Sequence, residues 1–399
     1  MDYFDKTIKF DPVNHYIVFT PEEMRNIKMS MTQTDIKILE AKLNYLFDMP
    51  LESVVTKKAS IPFDIDPNDY VSLATYYWPN PDTPDGLPYI LKDGYSNPEG
   101  EAYDKDKLRR LAFLVYYSVL LYYLSEDETY YELMKKHCLN FFVNDKTRMN
   151  PNMKHAQMQK GINKGRGLGI IDYSANFTYA LTMLTNLREL KLLKNDLFHP
   201  LKRWHKEFYT WLSYSNIALE ESRAENNHGT MYDFAIVVIK DFISTRRISK
   251  KVVTNFINNR LAKQMNEKGE LPLELKRTKS LSYSLMGLKG MYDFASIVAK
   301  DGYNLWDLSW YKKDVSGSLT KGVSFLCHYL VDHVEPWPYE QVTMFDEATI
   351  LPLVFVAKKM NIINEDSLVK IRSENLSDDL LFSILFKKNF EFDNKERIQ

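Results

Sequence analysis

The sequence predicts an all-α protein whose antiparallel helix hairpins stand side by side as an incomplete (α/α) toroid. Three observations predict it. From about residue 105 onward, apolar residues recur at three- and four-residue spacing through segment after segment. Period-two alternation bounded by Asn-Gly or Asp-Gly is almost absent, so strands are not the main element. Helix follows helix every few tens of residues with no legible sequence period, which suits packed hairpins better than an array of identical modules. A ring of hairpins leaves a cleft at one end, where its loops converge.

The predicted helices run in order. KLRRLAFLVYYSVLLYYLS (107–125) is apolar almost all round and reads as a buried helix; ETYYELMKKHCLNFFV (128–143) follows after a short acidic turn. Residues 172–193 and 200–215 carry the same spacing, then 229–244, 250–265, 280–299, 319–334 and 348–360. Residues 1–58 read as a helical N-terminal extension of the same domain, and the whole chain, 1–399, as one domain. Two stretches break the pattern. Residues 59–104 and 144–171 are long, aromatic and punctuated by Pro and Gly, and loops beyond about 12–15 residues in a compact domain tend to be functional. Both are expected to build a cleft wall.

Composition narrows the function. The 52 Lys and Arg balance the 53 Asp and Glu, which removes any global electrostatic case for nucleic acid or an anionic membrane. An anionic ligand must then be met by a local cluster. The 26 Tyr, 22 Phe and 6 Trp supply rings that either fill a helical core or stack on sugars. Cys138 and Cys327 are too few for a disulfide scaffold. Neither they nor His15, His137, His155, His199, His205, His328 and His333 fall in metal-ligand register, so no metal or cofactor is expected. No segment approaches the roughly 20 apolar residues of a membrane span, and no basic stretch followed by an apolar run marks a signal peptide. The chain is expected to be periplasmic or secreted if a leader precedes this numbering, and cytoplasmic if residue 1 is the true start.

The stretch AENNHGTMYD (224–233) sets hydrogen-bond-demanding side chains at the mouth of an apolar helix. A helix starting near Gly229 points free N–H groups and its positive dipole end at whatever lies beside Asn227 and His228, which favours an anion such as a carboxylate. Asn donates two further hydrogen bonds, and His exchanges protons near neutral pH; a capping and packing role fits these residues equally. In PLELKRTKSLSYS (272–284), Arg277 and Tyr283 lie six apart, the Tyr opening another apolar helix. A fixed positive charge beside a phenol is expected to lower its pKa from about 10. Tyr283 can equally be a core ring with a wet hydroxyl.

Asn, His, Arg and Tyr together are what β-elimination from a uronate needs. The C5 proton, α to the sugar carboxylate, is only weakly acidic, so the carboxylate must be neutralised, a task suited to Asn227 and Arg277. A base must take the proton and an acid must protonate the leaving O4. Tyr283 can act as the acid, and as the base when both groups lie on one face of the ring; His228 is the alternative base or the residue that orients Tyr283.

The blocks YVSLATYYWPNPDTPDGLPYILKDGYSNPE, NPNMKHAQMQKGINKGRGLGIID, ENNHGTMYD, ELKRTKSLSYS and EPWPYEQV, in that order over about residues 65–345, resemble those of the alginate lyase superfamily of α/α-toroid polysaccharide lyases. The resemblance implies Asn227, His228, Arg277 and Tyr283 as the catalytic set. It also implies a 1,4-linked polyuronate as partner: mannuronate-rich alginate, glucuronan or a related polymer. The family's usual Tyr-Trp-Trp-Pro reads here Tyr76-Tyr77-Trp78-Pro79. Tyr76, Trp78, Tyr89, Lys164, Arg166, Trp337, Tyr339 and Gln341 are the candidate sugar contacts, each with a structural alternative as a core ring, turn or solvated charge. Two rivals remain at this level: a glycoside hydrolase using two carboxylates from Glu225, Asp233, Glu274 and Asp346, and a glycan-binding protein without turnover.

Overall fold

The computed structural model describes residues 16–367, with 312, 346 and 365 excepted; His15 and Asp346 lie outside the described residues. Two short helices, α1 (Pro21–Ser30) and α2 (Gln33–Leu43), open it, each started by a Thr capping box that satisfies its first N–H groups. The ring follows. Its inner helices are α3 (Lys105–Ser125), α5 (Phe177–Glu189), α7 (Asn227–Ile243) and α9 (Ser280–Ala299), each packed on the next. They are buried on nearly every side, which explains why their sequences are apolar all round.

The outer row contains α4 (Glu128–Phe142), α6 (Asn195–Tyr214) and α10 (Leu319–Leu330), with α8 (Lys250–Phe256) continuing through a π turn, Ile257–Leu261. These are one-sided: α6 buries Leu197, Leu201, Trp204, His205, Phe208 and Leu212 at helical spacing and leaves the rest to solvent. The helix α11 (Leu351–Lys359) packs on α9 and α10. One apolar cluster runs from Tyr16 to Ile363, tying the N-terminal helices into the same core as the ring. Among the described residues no helix is long and apolar enough to cross a membrane.

The two long stretches differ from the simple loops expected. They hold four short strands: β1 (Val71–Leu73), β2 (Tyr77–Trp78), β3 (Ile90–Leu91) and β4 (His155–Met158). β2 and β3 form an antiparallel hairpin, while β1 pairs in parallel with β4 and so joins the two stretches to each other. Val71 pairs with His155 and Leu73 with Met158, so β4 carries one residue more than β1 across the same interval. That bulge coincides with Gln157 at φ 50°, a left-handed conformation that a non-glycine residue adopts only under constraint. A second small core of Ile65, Val71, Leu73, Tyr89, Tyr103 and Met158 lies beneath this layer.

Buried histidines give the fold a pH dependence. His205 is fully buried between the Leu201 carbonyl (2.8 Å) and the Tyr173 hydroxyl (2.9 Å), and burial lowers its pKa from 6.5 to about 4. Burial, with Lys136 adding, lowers His137 to about 4 as well. The unfolded chain binds these protons below pH 6.5 and the folded one does not until about pH 4, so both histidines cost stability as pH falls through that window. His205 alone contributes on the order of 3 kcal/mol. Urea unfolding at pH 7, 5.5 and 4.5 is expected to show this fall, and a smaller one in His205→Gln; identical profiles would mean that His205 is charged in the folded protein.

Candidate active site

The loops at one end of the ring enclose a cleft of about 780 Å³. Tyr76, Arg166, Asn227, His228, Arg277 and Tyr283 all line it. The first turn of α7 supplies Asn227 and His228, since the helix begins two residues earlier than Gly229, with Asn226 as the cap accepting from the His228 N–H (3.3 Å). Gly229 is needed behind them, because a Cβ there would meet the Ala224 carbonyl at 2.1 Å and the Arg260 guanidinium at 2.5 Å. Arg260, on the π turn after α8, donates to the carbonyls of Ser222 and Ala224 (both 2.7 Å) and to Asp233 (2.8 Å). It thereby fixes the turn that presents Asn226 and Asn227.

Each of the two residues on α7 has a buried carboxylate behind it. The Glu221 oxygens lie 3.0 and 3.1 Å from His228 Nδ1, which leaves Nε2 as the free ring nitrogen. Glu221 is fully buried, and burial raises its pKa against the opposing pull of His228. Glu274, on the one-turn helix Pro272–Leu275, accepts from the Asn227 backbone N–H (2.6 Å) and from Nδ2 at both carboxylate oxygens (2.9 Å each). The anion expected at this helix start is therefore Glu274 itself. Asn227 Oδ1 is buried with no hydrogen-bond partner in the structure.

Arg277 and Tyr283 form a stacked pair, the guanidinium carbon 4.0 Å from the ring centroid. Asp93, in the loop after β3, holds the guanidinium in a two-pronged grip at 2.7 Å to Nη2 and 3.2 Å to Nε, and accepts from the Thr278 hydroxyl at 3.0 Å. The Tyr283 and Tyr76 hydroxyls are 2.6 Å apart. The expectation that Arg277 lowers the Tyr283 pKa is corrected here. Burial, with Tyr76 adding, raises it well above the ordinary phenol value; Arg277 opposes the rise but already shares its charge with Asp93. The phenol is thus a protonated donor through the neutral range.

The far wall comes from the β4 bulge. Gln157 accepts from Arg166 Nη2 (2.6 Å) and donates to Asp172 (3.4 Å), while Lys105 lies 3.8 Å from the same carboxylate. Arg166 also lies over the Tyr77 ring at 5.7 Å, and Tyr77 lines the cleft.

Other sugar-contact candidates stand elsewhere. Tyr89 is buried in the small core with its hydroxyl on Glu99 (2.6 Å). Trp78 donates to the Tyr95 carbonyl (2.8 Å), and Lys164 pairs with Asp64. Trp337 donates to Ser280 (2.8 Å), Gln341 to Ser282 (3.1 Å), and Tyr339 packs on Trp337, so all three anchor the last loop on the start of α9. None of these six lines the cleft. The hydrolase carboxylates fare no better: Asp233 is held by Arg260, Glu274 by Asn227, and Glu225 is exposed off the cleft. Sequence reasoning missed Glu221, Asp93, Gln157 and Arg260 altogether, and named Glu274 only as a hydrolase carboxylate.

A helical toroid with this cleft at its loop end, taken with the family match that follows, defines the class, an α/α-toroid polysaccharide lyase. The family model described as Alginate lyase matches residues 53–337, and the chain belongs to that family. Among solved structures, an alginate lyase from Bacteroides ovatus is 30% identical over 87% of this chain and 92% of its own, with a TM-score of 0.78. Alginate lyase A1-III from a Sphingomonas species, solved with a tetrasaccharide, shares the fold at 12% identity, covering 91% of this chain and 92% of its own, with a TM-score of 0.50. Among curated proteins none matches the chain significantly.

Proposed function

We propose that this enzyme cleaves alginate, preferring mannuronate-rich stretches, by β-elimination that leaves a C4–C5 double bond conjugated with the carboxylate of the new end. The observation that carries the reading is that Asn227 and His228 from the start of α7, Tyr283 from the start of α9 and Arg277 from the segment before it line one cleft. Arg277 meets the uronate carboxylate, with Asn227 beside it; after Asp93 takes two of its five N–H groups, Arg277 keeps three for substrate. Tyr283, held protonated, delivers its proton to the leaving O4.

The base follows from the stereochemistry of the sugar. Where the C5 proton and O4 share a face, the phenol oxygen can take the C5 proton as its own hydrogen passes to O4; where they do not, His228 Nε2 takes it, with Glu221 stabilising the imidazolium. Ultraviolet absorbance tests the reading, with polymannuronate, polyguluronate and glucuronan offered separately to the purified protein. A rise of unsaturated product fastest on polymannuronate is expected. A rise on glucuronan alone would replace the substrate, and no rise on any would overturn the reading.

A further inference from the structure

The Asn227 carboxamide is turned the wrong way for an anion. Its NH2 group is spent on Glu274, and the edge left over is Oδ1, buried and without a partner. Asn227 lines the cleft and Glu274 does not, so the oxygen is the edge a uronate carboxylate would meet. An amide oxygen only accepts hydrogen bonds and repels a carboxylate. One proton resolves the conflict, in either of two positions. Glu274 can hold it, in which case the carboxamide turns over, Glu274 donates to Oδ1, and Nδ2 faces the uronate. Alternatively the uronate carboxyl holds it and donates directly to Oδ1.

Both arrangements contain one proton more than the ionised cleft plus an ionised uronate. We infer that a uronate binding at this cleft takes up one proton from solvent, shared among Glu274, Asn227 and the sugar carboxyl, and that Glu274 is the positioning residue that decides which edge of Asn227 is presented. This deepens the polyuronate-lyase reading and rests on it. The uptake removes one negative charge from the site, from Glu274 or from the sugar carboxyl, before the C5 proton leaves, which favours acidifying that proton.

The surroundings of Glu274 fit the role. From α7 it is faced by Asn227 and His228, from its own loop by Arg277, and from α9 by Gly287, which brings no ionisable group. Burial raises its pKa, while the Asn227 hydrogen bonds and the charges of Arg277 and His228 pull the other way. The net effect is a raised pKa, and the contacts that oppose the rise are ones that a bound uronate would change.

The test uses Tyr283→Phe, which removes the acid, and a mannuronate tetramer. Calorimetric titration at pH 7.5 in buffers of different ionisation heat counts the protons exchanged. About one proton taken up per tetramer is expected, falling to about zero in Tyr283→Phe/Glu274→Gln with binding retained. Gln can donate to Asn227 Oδ1 and accept from its backbone N–H, which fixes the turned-over amide without a proton. Uptake that persists in the double variant assigns the proton to His228 or another group and overturns the inference; so does no uptake in Tyr283→Phe. If the double variant does not fold, the pH dependence of Kd in Tyr283→Phe alone decides. One-proton uptake weakens binding about tenfold per pH unit on the alkaline side, and a flat profile overturns it. Failure of the substrate reading itself looks different: no binding, together with no absorbance change from the unsubstituted enzyme.

Discussion

Tyr283→Phe lowers kcat about 10³-fold while Kd for an oligouronate stays within a few-fold. The substitution keeps the ring that Arg277 stacks on at 4.0 Å and removes only the hydroxyl with its 2.6 Å contact to Tyr76. Binding depends on the cations and amides around the sugar, whereas protonation of O4 depends on that hydroxyl. Steady-state absorbance gives kcat, and calorimetry gives Kd separately. Turnover retained within tenfold would take the acid role from Tyr283, and Tyr76, its neighbour across the cleft, would inherit it.

Arg277→Lys is expected to cost 10²- to 10³-fold in kcat/KM although the charge is conserved. Lysine has no planar fork, so it cannot grip both oxygens of Asp93 and lie flat on Tyr283 at once. The loss should appear chiefly in kcat, because the guanidinium fixes the phenol as well as meeting the carboxylate. Activity within tenfold of the parent would reduce Arg277 to a point charge.

What the sequence made legible follows from range. Helices are written in local periodicity, and α3 through α11 stand close to where the apolar spacing put them. The strands were not legible, because three or four residues carry no pattern and β1 finds its partner only in the other long stretch. The same limit governs the site. Asn227, His228, Arg277 and Tyr283 stood out by residue type at short spacing, but their supports did not. Asp93 lies 184 residues from Arg277 in sequence, and Glu274 lies 47 from Asn227. A signal existed for Glu274, three residues before Arg277 in the ELKRTKSLSYS block, and for Glu221, seven before His228. Rings chosen by type alone, Tyr89, Trp337 and Tyr339, stand off the cleft because their placement is decided by contacts the local sequence does not contain.

The pairing of β1 with β4 bears on how the molecule assembles. Neighbouring inner and outer helices meet through short connections, whereas this parallel pair must close the long intervening segment that includes α3 and α4. Loop-closure entropy delays such contacts relative to local ones. The ring is therefore expected to gather first, with the Gln157 wall mounted on it afterwards. On that order, helical ellipticity is expected to recover before activity does, which would make helix content a poor proxy for a competent enzyme.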